Sequence, residues 1–137
     1  MLNLGVDLHK RNCWVTVMKE DGQVQEQRKL GMDRSTLLGY FGKVAKPAKV
    51  AVEATFNWYY FLDLIEPLGF ELHLVNPWKT RLIASARIKH DKLDSRVLAD
   101  LLRTNYGAES WIAPRPVREL RQLLRFRARS VQWGTRA

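Results

Sequence analysis

Four acids occupy places where acids are unfavourable. Asp7 lies inside the alternating stretch LNLGVDL, residues 2–8, and aspartate is depleted in strands. Glu53 ends the apolar run KVAVE. Asp91 and Asp94 fall in HDKLDSRVLADLL, residues 90–102. At 100° per residue, Leu93, Val97, Leu98, Leu101 and Leu102 gather on one helical face, with Asp94 in its middle and Asp91 near its edge. A buried carboxylate requires a cation, a hydrogen-bond partner or a proton. Each acid also has a local explanation. Asp91 and Asp94 fit a variant capping box, with Asp91 as N-cap and Asp94 as the N3 acid. Asp7 fits a turn acid bonded to the His9-Lys10-Arg11 amides. Glu53 fits an exposed strand-end charge or a cap of the next helix. One arrangement accounts for all four at once. If the first strand is central and KVAVE lies beside it, Asp7 and Glu53 face each other near the end of the sheet. A helix crossing that sheet brings Asp94 and Asp91 to the same place, because the Asp-x-x-Asp spacing keeps both acids on one side. Four carboxylates are hard oxygen ligands that select Mg²⁺ or Mn²⁺. Two such ions about 4 Å apart activate a nucleophile and stabilise the leaving oxygen in phosphodiester transfer.

Positioning those acids is the task of the remaining elements. Residues 2–8 alternate with period two, and NCWVTVM, residues 12–18, is rich in β-branched and aromatic types. Asp21-Gly22 is a hairpin signal, and a third strand runs from about Val24 to Leu30. The chain thus opens as an antiparallel meander. Asp33 is an N-cap for a helix to about Ala45. Lys49 to Glu53 forms a strand, Asn57 caps a helix ending near Pro67 and Gly69, and Glu71 to Val75 is a further strand. Strand, helix and strand with short links make a βαβ unit with parallel pairing. A helical stretch follows from about Trp78. After the link WIAPRPV a last helix starts near Val117. Between Arg115 and Ala137 it carries seven arginines and one acid, Glu119. Val117, Leu120, Leu124 and Val131 recur at spacings of three, four and seven, as at the start of a coiled coil or a long docking helix.

The totals narrow the class. A chain of 137 residues supports one domain with a core. No run approaches the roughly 18 apolar residues of a membrane span, and the N-terminus has no basic leader. The single Cys13 excludes an internal disulfide and fits a reducing cytoplasm. Aligned with Val15 and Val17, it reads as core. The net charge of +9 points to a polyanionic partner, nucleic acid first.

The order of strands and acids resembles the ribonuclease H-like fold. The stretches GVDLHK, VEATFNWYYFLDLIEPLGF, LHLVNPWKTR and KHDKLDSRVLADLLR resemble the N-terminal, RuvC-like domain of the DEDD transposases of the IS110 family. The resemblance covers about Leu4 to Arg129 and places Asp7, Glu53, Asp91 and Asp94 at the four DEDD positions, as catalytic metal ligands for Mg²⁺ or Mn²⁺. It implies an α/β fold: a mixed five-stranded sheet, three strands antiparallel and then parallel ones, flanked by helices. It also implies two parts, a catalytic domain over residues 1–108 and, over residues 109–137, a linker with the first turns of a coiled coil. The function implied is that of a recombinase of bacterial insertion sequences. Its partners are DNA, a structured guide (bridge) RNA, and a second copy met through the C-terminal helix. The family's second domain supplies a serine nucleophile. None of Ser35, Ser85, Ser95, Ser110 or Ser130 stands in a matching context, so this chain alone is expected to lack strand exchange.

Lys79, Arg81, Arg87, Lys89 and Lys92 flank the acids and are candidate phosphate contacts; a solvated basic loop is the alternative. Arg118, Arg121, Arg125 and Arg129 recur along one side of the last helix. They fit nucleic-acid backbone contacts or a coiled-coil flank. Most of Phe56, Trp58, Tyr59, Tyr60 and Phe61, together with Trp14, Trp78 and Trp111, read as packing residues. A different class of function is a nucleic-acid-binding module without chemistry, its acids serving as caps. An actin-like ATPase is disfavoured, because the turn Leu8-His9-Lys10-Arg11 lacks the Gly- and Thr-rich phosphate loop that class needs.

Overall fold

The computed structural model describes residues 1–55, 57–76, 78, 94–105, 109, 110, 112 and 114–136. Alternation sets the first three strands: β1 (Leu2–Leu8), β2 (Asn12–Met18) and β3 (Val24–Gly31). The β2–β3 turn uses Gly22 at φ 90°, a left-handed conformation that glycine adopts without steric cost. Helix α1 (Arg34–Phe41) is capped by Asp33, which accepts from the Thr36 amide at 3.1 Å. It stops four residues short of the expected Ala45. The chain turns at Gly42, and the Lys43 and Val44 amides bond back three residues, to Tyr40 and Phe41. Next come β4 (Ala48–Glu53), α2 (Trp58–Ile65), a 3₁₀ turn (Glu66–Leu68) and β5 (Glu71–Val75). Helix α3 (Ser95–Thr104), the two-residue strand β6 (Glu109–Ser110) and helix α4 (Arg115–Arg136) complete the described elements.

The strands form one sheet in the order β3-β2-β1-β4-β5-β6. β1, β2 and β3 are antiparallel neighbours, and β4 and β5 join in parallel. This is the mixed five-strand arrangement of the ribonuclease H-like fold, with the short antiparallel β6 added at its edge. The central strand is β1. Its two faces bury different things. Leu4, Val6 and Leu8, with Cys13, Val15 and Val17 of β2 and Val50 and Val52 of β4, pack under Leu37 and Phe41 of α1 and Phe61, Leu62 and Ile65 of α2. The opposite face is covered by α3, where Leu98, Leu101 and Leu102 meet Ala51 and Val75.

Within α2, Phe61 is fully buried, Tyr59 nearly so, and Tyr60 is 45% exposed, so the expected packing role holds for most of this aromatic run. Phe56 and Trp111 lie outside the described residues, and Trp78 is exposed.

Helix α4 corrects one expectation. Arg118, placed by sequence among the nucleic-acid contacts, is 1% exposed. Its Nη2 donates to Glu66 Oε2 at 2.8 Å and lies 3.0 Å from Asp63 Oδ1, both acids being on the α2 side. One turn pair further on, the Arg125 guanidinium sits 5.8 Å from the Tyr59 ring centroid. Arg118 and Arg125 of α4 therefore face α2. Arg121, Arg125 and Arg129 are exposed, and so is the apolar stripe of Leu120, Leu124 and Val131.

Candidate metal centre

The register of the sheet sets the centre. Val6 pairs with Val52 in the parallel β1–β4 ladder, so Asp7 and Glu53 share the next rung and point to the same face. That face is the one covered by α3, because side chains alternate and Gly5 and Ala51, two residues back, lie under it. Asp7 is 7% and Glu53 8% exposed. Two carboxylates thus stand side by side, one strand spacing or about 5 Å apart at the backbone, at the carboxyl ends of the two central strands.

The approach of α3 depends on Gly5. A Cβ there would overlap the Ser95 carbonyl oxygen and the Ala99 amide nitrogen, and would come within 2.9 Å of Leu98 Cβ. The helix is further held by a buried hydrogen bond of 2.8 Å between the Ser95 and Thr16 hydroxyls, which Gln27 Nε2 extends by donating to Thr16 Oγ1 at 3.2 Å. The C-terminal end of α3 lies over the start of β1, where Leu102, Arg103 and Asn105 line a small cavity with Met1 and Asn3. The helix therefore runs against β1, and its N-terminus points toward the end that carries Asp7 and Glu53.

Asp94 stands at that N-terminus. It is the N-cap, extended at φ −79° and ψ 174°, and its Oδ1 accepts from the Val97 amide at 2.8 Å. The cap is thus Asp94 itself, one position before Ser95. A capping box with Asp91 as N-cap does not match this start. Asp91 lies outside the described residues, as do Lys79, Arg81, Arg87, Lys89 and Lys92. Among the described residues no three His, Cys, Asp or Glu side chains stand close enough to hold a metal ion together. The structure brings Asp7 and Glu53 together and leaves Asp94 exposed at the facing helix end.

The strand ends and their loops add groups beside the acids to which the sequence gives other roles. His9 Nε2 lies 3.0 Å from Asp7 Oδ2, which fixes one oxygen of that carboxylate. Asn57, expected to cap α2 with its side chain, instead donates to the His9 carbonyl at 3.0 Å, and so ties the β4–α2 loop to the β1–β2 turn. Lys10 and Arg11 in that turn are exposed. The sequence assigns Trp14 to packing, and the structure does not bury it. It pairs with Asp7 across β1–β2 and is 43% exposed. Its neighbours Cys13 and Val15 point into the opposite core, where burial pushes the Cys13 thiol up to about 11, with the Asp7 charge adding to the effect.

The donor set suits a hard divalent cation. The two buried carboxylates on adjacent strands can supply the first oxygens to an ion that takes a few protein ligands and completes its shell with water and substrate phosphate. A soft metal would want thiolate or imidazole instead.

Residues 4–137 match the model of the DEDD_Tnp_IS110 family, described as a transposase. A comparison with curated proteins finds no match. Since the family match spans nearly the whole chain, the protein belongs to the DEDD transposase family of IS110 elements.

Proposed function

We propose that this domain is the metal-dependent DNA-cleaving part of the transposase, with Asp7, Glu53, Asp94 and Asp91 holding Mg²⁺ or Mn²⁺. The observation that carries the reading is the shared rung of Asp7 and Glu53 at the ends of the two central strands, faced by the start of α3. When bound, the metal supplies Lewis-acid stabilisation of the scissile phosphate and of the attacking and leaving oxygens. The chain's own residues do the rest. Asp7 and Glu53 present oxygens from strands that cannot shift independently. His9 orients the Asp7 carboxylate. Gly5 and the Thr16–Ser95 bond seat α3 so that Asp94 arrives at the same end. Lys10 and Arg11 offset phosphate charge beside the acids.

The remaining expectations are part of the same proposal. DNA is the substrate and a guide RNA directs it. Lys79, Arg81, Arg87, Lys89 and Lys92 contact backbone phosphates near the metal, and Arg121, Arg125 and Arg129 extend that contact along α4. The exposed stripe of Leu120, Leu124 and Val131 joins a second copy. One observation favours a second reading, a nucleic-acid-binding module without chemistry: Asp94 already caps its helix. A Mn²⁺ titration followed by paramagnetic broadening of backbone amides separates the two. The metal reading expects broadening centred on Asp7, Glu53 and Asp94 and lost in Asp7→Ala. Diffuse broadening that ignores the substitution would leave the binding module.

A further inference from the structure

One row of side chains crosses the sheet beside the acids. Trp14 pairs with Asp7, and Lys29 of β3 pairs with Trp14. Residues paired directly across antiparallel strands share a face, so Glu53, Asp7, Trp14 and Lys29 form a single line on the α3 side. Two residues back, the equivalent row of Ala51, Gly5, Thr16 and Gln27 lies at the start of α3. The helix begins over that row, and the next row reaches solvent at Trp14 and at Lys29.

A lone exposed tryptophan is ordinary on a protein surface. Trp14 differs in its place. Its Cβ is roughly 5 Å from that of Asp7, and Lys29 is two strand spacings, roughly 10 Å, from the acid. A flat aromatic surface between a carboxylate pair and an ammonium group matches the chemistry of one nucleotide: phosphate toward the metal, base on the indole, following phosphate toward the lysine. Every base has a π-face, so such a platform takes any sequence. The net charge of +9 and the exposed Lys10 and Arg11 at the same strand ends favour a polyanion there.

We propose that Trp14 stacks a base of the DNA strand whose phosphate sits at Asp7 and Glu53, with Lys29 pairing the neighbouring phosphate. This rests on the metal-site reading above for the strand's position, and on the Asp7–Trp14–Lys29 row for the stacking itself. The base must be unpaired to lie flat on the indole, so the substrate is a locally opened or single-stranded segment.

The test uses the 137-residue chain and a ten-nucleotide oligodeoxythymidylate carrying one central 2-aminopurine, whose fluorescence falls on stacking. With Mg²⁺ present, Trp14→Ala is expected to weaken binding about tenfold, within the range for one stacked base, and to abolish the fluorescence decrease. Trp14→Phe restores most of both, which a mere packing role for the ring edge would not require. Lys29→Ala lowers the salt dependence by about one phosphate contact and leaves the stacking signal. Binding within twofold of wild type for Trp14→Ala would overturn the proposal. So would a Trp14-dependent signal seen with oligouridylate and not with the DNA probe, since the stacked strand would then be RNA. Mn²⁺ binding to the protein alone, read by electron paramagnetic resonance with Asp7→Asn, is scored separately. Loss of the metal site and loss of the stacking site therefore give different patterns.

Discussion

The two faces of the sheet are built from alternate residues of the same strands, and they follow opposite rules. On the α1–α2 face, Leu4, Val6, Val15, Val50 and Val52 are fully buried beneath Phe41, Phe61, Leu62 and Ile65. On the α3 face the corresponding positions are Gly5, Asp7, Thr16, Ala51 and Glu53, small or polar. The first face contributes the apolar burial that holds the domain together. The second accepts a thinner core so that a helix can come against the backbone of β1 and two carboxylates can be held at the strand ends. The apolar core and the paired carboxylates are thus separated by one residue of register, and a one-residue slip would exchange them.

The largest expected effects test that separation directly. Phe41 packs edge-on against Phe61 at 5.3 Å and Phe70 at 5.9 Å between centroids and is fully buried. Phe41→Ala is expected to cost about 3–5 kcal/mol in urea unfolding, while the folded fraction keeps its Mn²⁺ broadening at Asp7. Gly5→Ala should cost about 3 kcal/mol by overpacking against the Ser95 and Ala99 backbone. Here broadening at Asp94 is expected to vanish even in the folded protein, because α3 must lift from β1. If both substitutions affect the site alike, the faces are not independent.

A smaller effect concerns the polar link across the thin face. Thr16 is fully buried and Ser95 nearly so. Thr16→Val strands the Ser95 hydroxyl and should cost about 1–3 kcal/mol, the penalty for an unsatisfied buried polar group. The double variant Thr16→Val, Ser95→Ala removes both partners and is expected to recover most of that loss, which a double-mutant cycle by thermal unfolding measures. Additive losses would mean that the bond carries little of the docking of α3.

Strands were the legible part of the sequence because alternation and turn residues act locally. β1 and β2 match their expected limits, β3 extends one residue further, and β4 starts one residue earlier. The shared sheet end of Asp7 and Glu53 was also legible, since a carboxylate within or at the end of an apolar strand conflicts with burial. The rest depended on distance in space. Gly5 reads in sequence as any alternating position, because only the fold lays α3 on it. Trp14 has the side chain of a core residue, yet it is 43% exposed, one row beyond the described start of α3. Arg118 belongs to a periodic row that suggests a polyanion, yet its own side chain is taken by Asp63 of α2 and by Glu66 of the turn that follows, some fifty residues earlier in the chain. The strand β6, two residues long, has no periodicity to read.

The smallest effects come from comparing two aspartates that do the same local work. Asp33 and Asp94 are both N-caps in extended conformation, and both accept an amide proton from three residues on. Asparagine caps as well as aspartate, so Asp33→Asn and Asp94→Asn should each leave thermal stability nearly unchanged. Only Asp94→Asn should weaken Mn²⁺ binding. The two sites also differ with pH in a way that isolates the cap. Hydrogen bonds from the Thr36 and Ser35 hydroxyls and from the Thr36 amide hold the Asp33 carboxyl below its ordinary range. A carboxyl depressed on folding stabilises the protein above its unfolded value and loses that contribution as pH falls through its folded value. Asp33→Asn should therefore flatten the acid limb of the stability curve below about pH 4, measured by urea unfolding at stepped pH. A parallel fall in both proteins would mean that the carboxyl contributes nothing beyond what the amide supplies. In that case the Asp94 cap should not be counted against its role as a ligand either, because an amide there would hold α3 equally well and only the charge would be missing.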